Sequence, residues 1–501
     1  MTRSQLFLST LISFLIGIGL YRWISLPLLY PLLFCCGVFI IFVIGRRAPL
    51  LLLCLFGLSL GVVRATVVSE LAQLPEGNTS LQGQIVAAPD IRRDHIKYTI
   101  EIPNSKSQIP NTNKQKTNSN NQITSAEQNN DAKILVRALL YPRFRLNDEV
   151  SFSCFVRHPE PIEDFAYDRY LALSGIATTC SARHFDLVQS SHWSFSGALI
   201  DGREWVTAQL SRILPEPEAS FEAGLLVGAR RGLPEWLTEA FGRTGTTHLI
   251  ALSGFNITIV VNLIMSMAIK TIGRRHAFWF VLLAISLFVI FVGGQASIVR
   301  AGIMGCIAAF AGHVGRPSRG INALVLSGVS MVLVNPRILL DDAGFQLSFG
   351  STLGLMLLSG HVDRWVHFLP ERFEIRGTIS ATIAASLFTL PLILCVFGRV
   401  SLVSLFVNVL ILPLIPFAMA AGTAALLLSV LSLSLGILFG AATWLILRGV
   451  IMVVEFFALP DWSLLHFATG QYWWLLLYFG LFAWVWYLDR RQRAALKISQ
   501  A

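Results

Sequence analysis

Charge is scarce in this chain. Asp, Glu, Lys and Arg make up 14% of its 501 residues, against about 25% in soluble domains. With 54% hydrophobic residues, an ordinary soluble protein is excluded. Its ten histidines contain no H-x-H pair, so the compact histidine cluster of zinc hydrolases is missing, and neither a metal site nor a cofactor is expected. Cysteine is sparse. Cys35, Cys36, Cys54, Cys306 and Cys395 lie in apolar runs and read as small core residues. Only Cys154 and Cys180 fall in polar sequence.

What is present is a succession of apolar runs of about 17–25 residues, the signature of a polytopic helical membrane protein. Three come first, near 5–21, 26–44 and 48–63. No small-residue cleavage site follows the first, so it reads as a retained helix and not a signal peptide. The Arg46–Arg47 pair belongs on the cytoplasmic side. An odd number of crossings then places the stretch from residue 64 to 245 outside the cytoplasm. Further runs lie near 247–269, 277–293, 297–313, 320–334, 343–360, 378–397, 401–419, 421–437, 438–459 and 471–488. The 402–459 region is almost continuously apolar, which leaves its number of crossings open, and with it the side of the basic tail at 490–501.

The outer segment, 64–195, reads as a small all-β domain. Ile96, Tyr98, Ile100 and Ile102 alternate with polar residues, as do Ile134, Val136 and Ala138, then Val150, Phe152, Cys154 and Val156, then Ile176, Thr178, Cys180 and Ala182. Short period-two strands of this kind fit an OB-like barrel. Residues 104–131 hold almost no large apolar side chain and read as a disordered hairpin loop. Cys154 and Cys180 sit on core-facing strand positions. In an oxidising compartment they either bridge or stand as two buried thiols, and the disulfide is the expected state. Between Arg64 and Ile200 fourteen basic residues meet fourteen acidic ones. The chain's net +10 is therefore a matter of cytoplasmic loops and tail, and carries no argument for nucleic acid. Residues 196–245, with Trp205, Leu210, Trp236, Leu237 and Phe241 among charges, read as amphipathic interfacial helices.

The run Thr246–Met267 is of membrane-crossing length, yet its first half carries His248, Ser253, Gly254, Asn256 and Thr258. Polar groups at bilayer depth are costly unless they are paired or line a hydrated path. This run opens within a longer stretch, EAGLLVGARRGLPEWLTEAFGRTGTTHLIALSGFNITIV (222–260). It is followed by GGQASIVRAGIMG (293–305), NPRILLDDAGFQLSFGSTLGL (335–355) and SLVSLFVNVLILPLIPFAM (401–419), and preceded by FAYDRYLALSGI (165–176). Together, in this order, the five segments resemble the ComEC family of competence proteins, membrane channels for DNA uptake. The resemblance implies translocation of single-stranded DNA across the bacterial cytoplasmic membrane during natural transformation. It implies as partners the DNA strand, membrane lipids, a DNA receptor protein, a separate nuclease and a cytoplasmic DNA motor or single-strand-binding protein, with self-association left open. The family's frequent Gly-Leu-His reads Gly254-Phe255-Asn256 here, which keeps hydrogen bonding but loses titration near neutral pH. Many members carry a C-terminal metallo-β-lactamase-like domain, and its histidine cluster has no counterpart in this sequence, so no catalytic residue is expected.

A path for a polyanion with apolar base faces needs donors or cations beside stacking surfaces. The motif segments offer His248, Ser253, Gly254, Asn256, Gln295, Arg300, Asp342, Phe345, Gln346, Arg399 and Asn408. Each has a plainer reading. Arg300 would snorkel to headgroups, Asp342 would cap the helix after it, and the glycines would let helices approach. On the outer domain Tyr141, Arg143, Phe144 and Arg145 form a candidate basic–aromatic edge. Two other classes have requirements of their own. A small-solute secondary transporter would need an inverted repeat, and 247–360 shows no self-similarity to 378–488. An intramembrane serine protease would need a base within about 3 Å of Ser253, and His313 is expected at the opposite membrane face.

Overall fold

The computed structural model describes residues 3–22, 49–67, 71–92, 94–103, 132–162, 166–190, 194–229, 232–250, 278–315, 319–370, 375–468 and 472–485, with the single positions 254, 270, 271, 273 and 487. The run predicted at 26–44, most of the one at 247–269, the 104–131 loop and the 490–501 tail lie outside them. Two compact units divide the chain. One is Val67–Asp201; the other joins Met1–Thr66 to Gly202–Ala501.

The chain enters through helices α1 (Arg3–Tyr21) and α2 (Pro49–Thr66), then forms a small β unit of six strands. These are β1 (Gly77–Ile85), β2 (Asp90–Ile91), β3 (Ile96–Ile102), β4 (Ala132–Ala138), β5 (Glu149–Arg157) and β6 (Ile176–Gln189), with α3 (Tyr167–Leu173) before the last. The sheet runs β1-β5-β6-β4-β3-β2, and β3 also pairs with β1, so five strands close into a ring. A closed barrel of this size has no free edge and suits the OB-like expectation. Its core follows from alternation. In β3, Ile96, Tyr98, Ile100 and Ile102 are buried while the residues between them are not. The buried Tyr98 keeps its hydroxyl satisfied by accepting from the Phe144 amide at 3.2 Å. Val156 on β5 stands opposite Cys180 on β6 and Cys154 opposite Ala182. The two cysteines are therefore diagonal neighbours on adjacent strands, and they form a disulfide with Cα atoms 5.9 Å apart. Closing a loop of 26 positions stabilises the barrel by about 2–4 kcal/mol.

The chain continues with α4 (Phe195–Ile213), α5 (Glu218–Val227), α6 (Glu235–Arg243), α7 (Phe278–Val292), α8 (Ala296–Val314), α9 (Gly320–Val334), α10 (Ile338–Asp341), α11 (Ala343–Trp365), α12 (Ile375–Phe397), α13 (Ser404–Ile411), α14 (Ile415–Leu431), α15 (Leu433–Ala458) and α16 (Trp473–Val485). A small hairpin pairs β7 (Arg399–Ser401) with β8 (Leu464–His466). Among the described residues four helices are long and apolar enough to cross a membrane: Ala296–Val314, Arg376–Phe397, Ser404–Leu431 and Leu433–Ala458. The three apolar runs read between 401 and 459 are in fact two helices. The break falls at the extended Ser432. Pro413 and Pro416 interrupt the first helix with a 3-10 turn at Leu412–Leu414 without ending it.

The stretch 196–245 also differs from a purely interfacial reading. α6 is amphipathic, burying Leu237 and Phe241 and exposing Trp236. α5 between its neighbours is enclosed: Glu218, Phe221, Glu222, Ala223 and Leu225 are all buried. In sequence, Glu218 and Glu222 sit four residues apart and look like a solvated helix face. Neighbouring helices cover that face.

Candidate functional site

Three of the four motif segments in the helical unit converge on one guanidinium. Arg300 lies one turn into α8 and is buried. Its Nη1 donates to the Ser348 carbonyl of α11 at 2.7 Å. The Phe349 ring lies under it, 5.8 Å from centroid to Cζ. From the first motif, Gly254 comes so near that a Cβ there would stand 2.8 Å from Nη2 and 3.4 Å from the Ala301 Cβ. A side chain at 254 would push the arginine from its seat, so glycine is required by space. Among the described residues the buried Nε has no hydrogen-bond partner. With five fixed donors on a planar fork, an Arg can bond the main chain through one and offer others to a second partner. Helix α7 supports α8 from behind, with Gly302 against Val289 and Ile285.

The other candidates of the third motif are engaged locally. Asp342 caps α11, its Oδ1 accepting from the Phe345 amide at 3.1 Å. Gln346 donates Nε2 to the carbonyls of Leu339 and Leu340 at 3.1 and 2.9 Å, tying α10 to α11. Phe345 is buried against Phe349, with ring centroids 4.3 Å apart. Gln295 is the residue before α8, and its carbonyl accepts from Ile298 and Val299. Ser253 and Asn256 lie outside the described residues.

A second polar place forms where α6 ends. Gly245 has φ +68°, and a Cβ on it would come within 3.0 Å of Ser401 and Ser404. This turn brings Thr244 and Thr246, both buried, beside the start of α13. There Asn408 is buried and donates Nδ2 to the Ser404 hydroxyl at 3.3 Å, and among the described residues its Oδ1 has no partner. The neighbouring Ser401 and Ser463 hydroxyls are buried and unpartnered as well. His248 is exposed in the following 3-10 turn, and Arg399 is exposed on β7.

On the β unit, Tyr141 is 69% exposed with the Arg143 guanidinium 5.1 Å from its ring centroid. Arg145 is exposed, with its backbone amide bonded to Asp148. Phe144 turns inward against Tyr98 and Phe185 and presents no face for stacking. A second pair of the same kind, absent from the sequence candidates, lies on β5. Phe155 is 47% exposed with the Arg157 guanidinium 5.3 Å from its ring centroid. The alternation that buries Phe152 and Val156 also turns Phe155 outward, so the signal was available. The Ser348 carbonyl and Phe349 at the Arg300 seat carried no sequence signal, because a main-chain acceptor is the same at every residue. Among the described residues no cluster of metal-ligating side chains occurs.

Residues 225–492, more than half of the chain, match a family described as "Competence protein". The chain is also similar to ComE operon protein 3 of Bacillus subtilis (strain 168), at 28% identity over 267 residues. That alignment covers 50% of this chain and 34% of the relative, so the chain spans about a third of the length of that relative. No solved structure matches.

Proposed function

Since the chain belongs to the competence protein family, we propose that its helical unit lies in the cytoplasmic membrane and passes single-stranded DNA inward during natural transformation. The observation that carries this reading is coincidence: the matched region, 225–492, contains the four helices that, among the described residues, are apolar enough to cross a membrane, and both buried polar places. The residues proposed to face the strand are Arg300 and Asn408, with Gly254 as the clearance that seats the arginine and His248, Ser253, Asn256, Gln295 and Arg399 as further contacts along the path. Asp342, Phe345 and Gln346 support the α10–α11 corner. On the β unit the exposed pairs Tyr141–Arg143 and Phe155–Arg157, with Arg145, would hold bases by stacking and phosphates by charge. Bond cleavage is assigned to a separate nuclease. A receptor protein would deliver the DNA, and a cytoplasmic motor or single-strand-binding protein would draw it in.

Deleting the gene should abolish transformation while surface capture of duplex DNA continues. A deletion strain that transforms normally would refute the proposal.

The β unit is proposed to face the outside, from the odd number of apolar runs before residue 64 and the Arg46–Arg47 pair. A reporter active only in the cytoplasm, fused near Asn118, should stay silent. On the same topology Cys154 and Cys180 should resist alkylation in intact cells until a reductant is added. A bright reporter at 118, or labelling of both thiols without reductant, would reverse the orientation.

A further inference from the structure

Glu222 is the most unusual side chain in the helical unit. It is fully buried in the middle of α5, and neither carboxyl oxygen has a hydrogen-bond partner among the described residues. It rests on α14 at Gly422. A Cβ there would stand 2.6 Å from its carboxyl carbon and 3.0 Å from its Cγ, so the glycine leaves the space that the acid fills.

Among the described residues no charge repays the burial. α14 contributes no ionisable residue. On α15 the groups are Arg448 and Glu455, and Arg448 reaches Glu218, one turn back on α5, at 3.7 Å. α4 offers Arg203 and Arg212; Arg203 donates to the Gly228 carbonyl beyond the far end of α5 at 2.6 Å, and Arg212 to Gln209. α6 offers Glu235, Glu239 and Arg243, the last bonded to Asp461 and the Pro460 carbonyl. None of these forms a hydrogen bond or ion pair with Glu222. An ionised carboxylate in such a place costs several kcal/mol. Burial accordingly pushes this carboxyl well above the ordinary glutamate value. As a packing element a protonated acid is inferior to Leu or Met, because its polar atoms go unpaired. Its advantage over them is that it can release a proton.

We propose that Glu222 is a proton-binding site of the helical unit, loaded while α5 lies against Gly422 and unloaded to water only when the two helices separate. The step is the ionisation of one carboxylic acid to carboxylate, with the proton passing to solvent. It links one proton to one helix movement, and it holds whether or not the unit carries DNA.

The test is infrared difference spectroscopy on the purified full-length protein. At neutral pH the wild type should show the high-frequency carbonyl stretch of a protonated carboxylic acid without hydrogen bonds, and Glu222→Gln should lack it. Transfer to heavy water should shift that band slowly, on the timescale of helix opening, and Gly422→Ala, which displaces the carboxyl, should speed the shift. If the Gln variant does not accumulate, Glu222→Asp serves instead, and its band should move in frequency. The fold prefers the protonated form, so the stability it adds is present below the unfolded-state value and is lost as pH rises through the folded one. The melting temperature of the wild type should therefore fall with rising pH relative to Glu222→Gln. A band unchanged by both substitutions, or absent at neutral pH, would overturn the site. A band that shifts at once in heavy water would overturn its link to helix separation.

Discussion

Arg300→Leu should reduce transformation by about tenfold to a hundredfold while the protein still accumulates in the membrane. The range corresponds to losing one hydrogen bond to a charged group, about 1.5–3 kcal/mol, at about 1.4 kcal/mol for each tenfold. Accumulation is expected because the Ser348 carbonyl also accepts from the Ser351 and Thr352 hydroxyls, at 3.0 and 2.9 Å. Removing the guanidinium therefore leaves no orphaned acceptor, and Leu fills an apolar site beside Phe349. The proposed loss is functional: the fixed positive charge beside Gly254 disappears, together with the donor fork that carries it. Arg300→Lys separates two forms of the contact. A point charge would restore part of the activity, whereas a planar fork binding main chain and phosphate together would not be replaced. Transformation at the wild-type rate by an accumulating Leu variant would show that Arg300 only clasps α8 to α11.

The second large effect is expected on assembly. Gly61→Leu should prevent the protein from accumulating, and Gly57→Leu should do the same. α1 and α2 cross at backbone contact: a Cβ at Gly57 would run into the Thr10 carbonyl, one at Gly61 into the Phe14 carbonyl, and one at Gly17 into that of Leu58. GLSLG at 57–61 is the small-xxx-small spacing that brings two apolar helices together. Overfilling an apolar core costs about 1–3 kcal/mol where side chains can yield. Here the obstacle is main chain, so the helices must part. The damage would spread, because Phe14 and Ile18 form one buried cluster with Val329, Val332 and Phe345 of α9 and α11. Gly19→Leu is the control, since nothing lies within 4 Å of its added Cβ. Equal amounts of Gly61→Leu and Gly19→Leu protein in the membrane would disprove the close crossing.

Much of this was written in local sequence. Hydropathy gives the helices because a backbone enclosed by apolar surroundings must bond to itself, and period-two alternation gives the strands because one face of each is buried. The positions of Tyr98, Val136 and Val156 in the barrel core follow from that alternation alone, as does Asp342 at the head of α11 from its place before an apolar run. The polar residues scattered through the motif segments were visible as exceptions to composition, but their partners were not. That Arg300 spends a donor on the Ser348 carbonyl, that Gly254 faces it, and that Glu222 lies unpaired against Gly422 are facts about segments 46 to 200 positions apart. Periodicity reports which face of a helix is apolar; it does not report what covers the other face. Glu222 reads as solvated by the i, i+4 pattern and is buried because α14 and α15 close over it. Whether a polar side chain is a surface group or an unpaired one in an apolar interior depends on what packs over it, and that is set by helices distant in sequence.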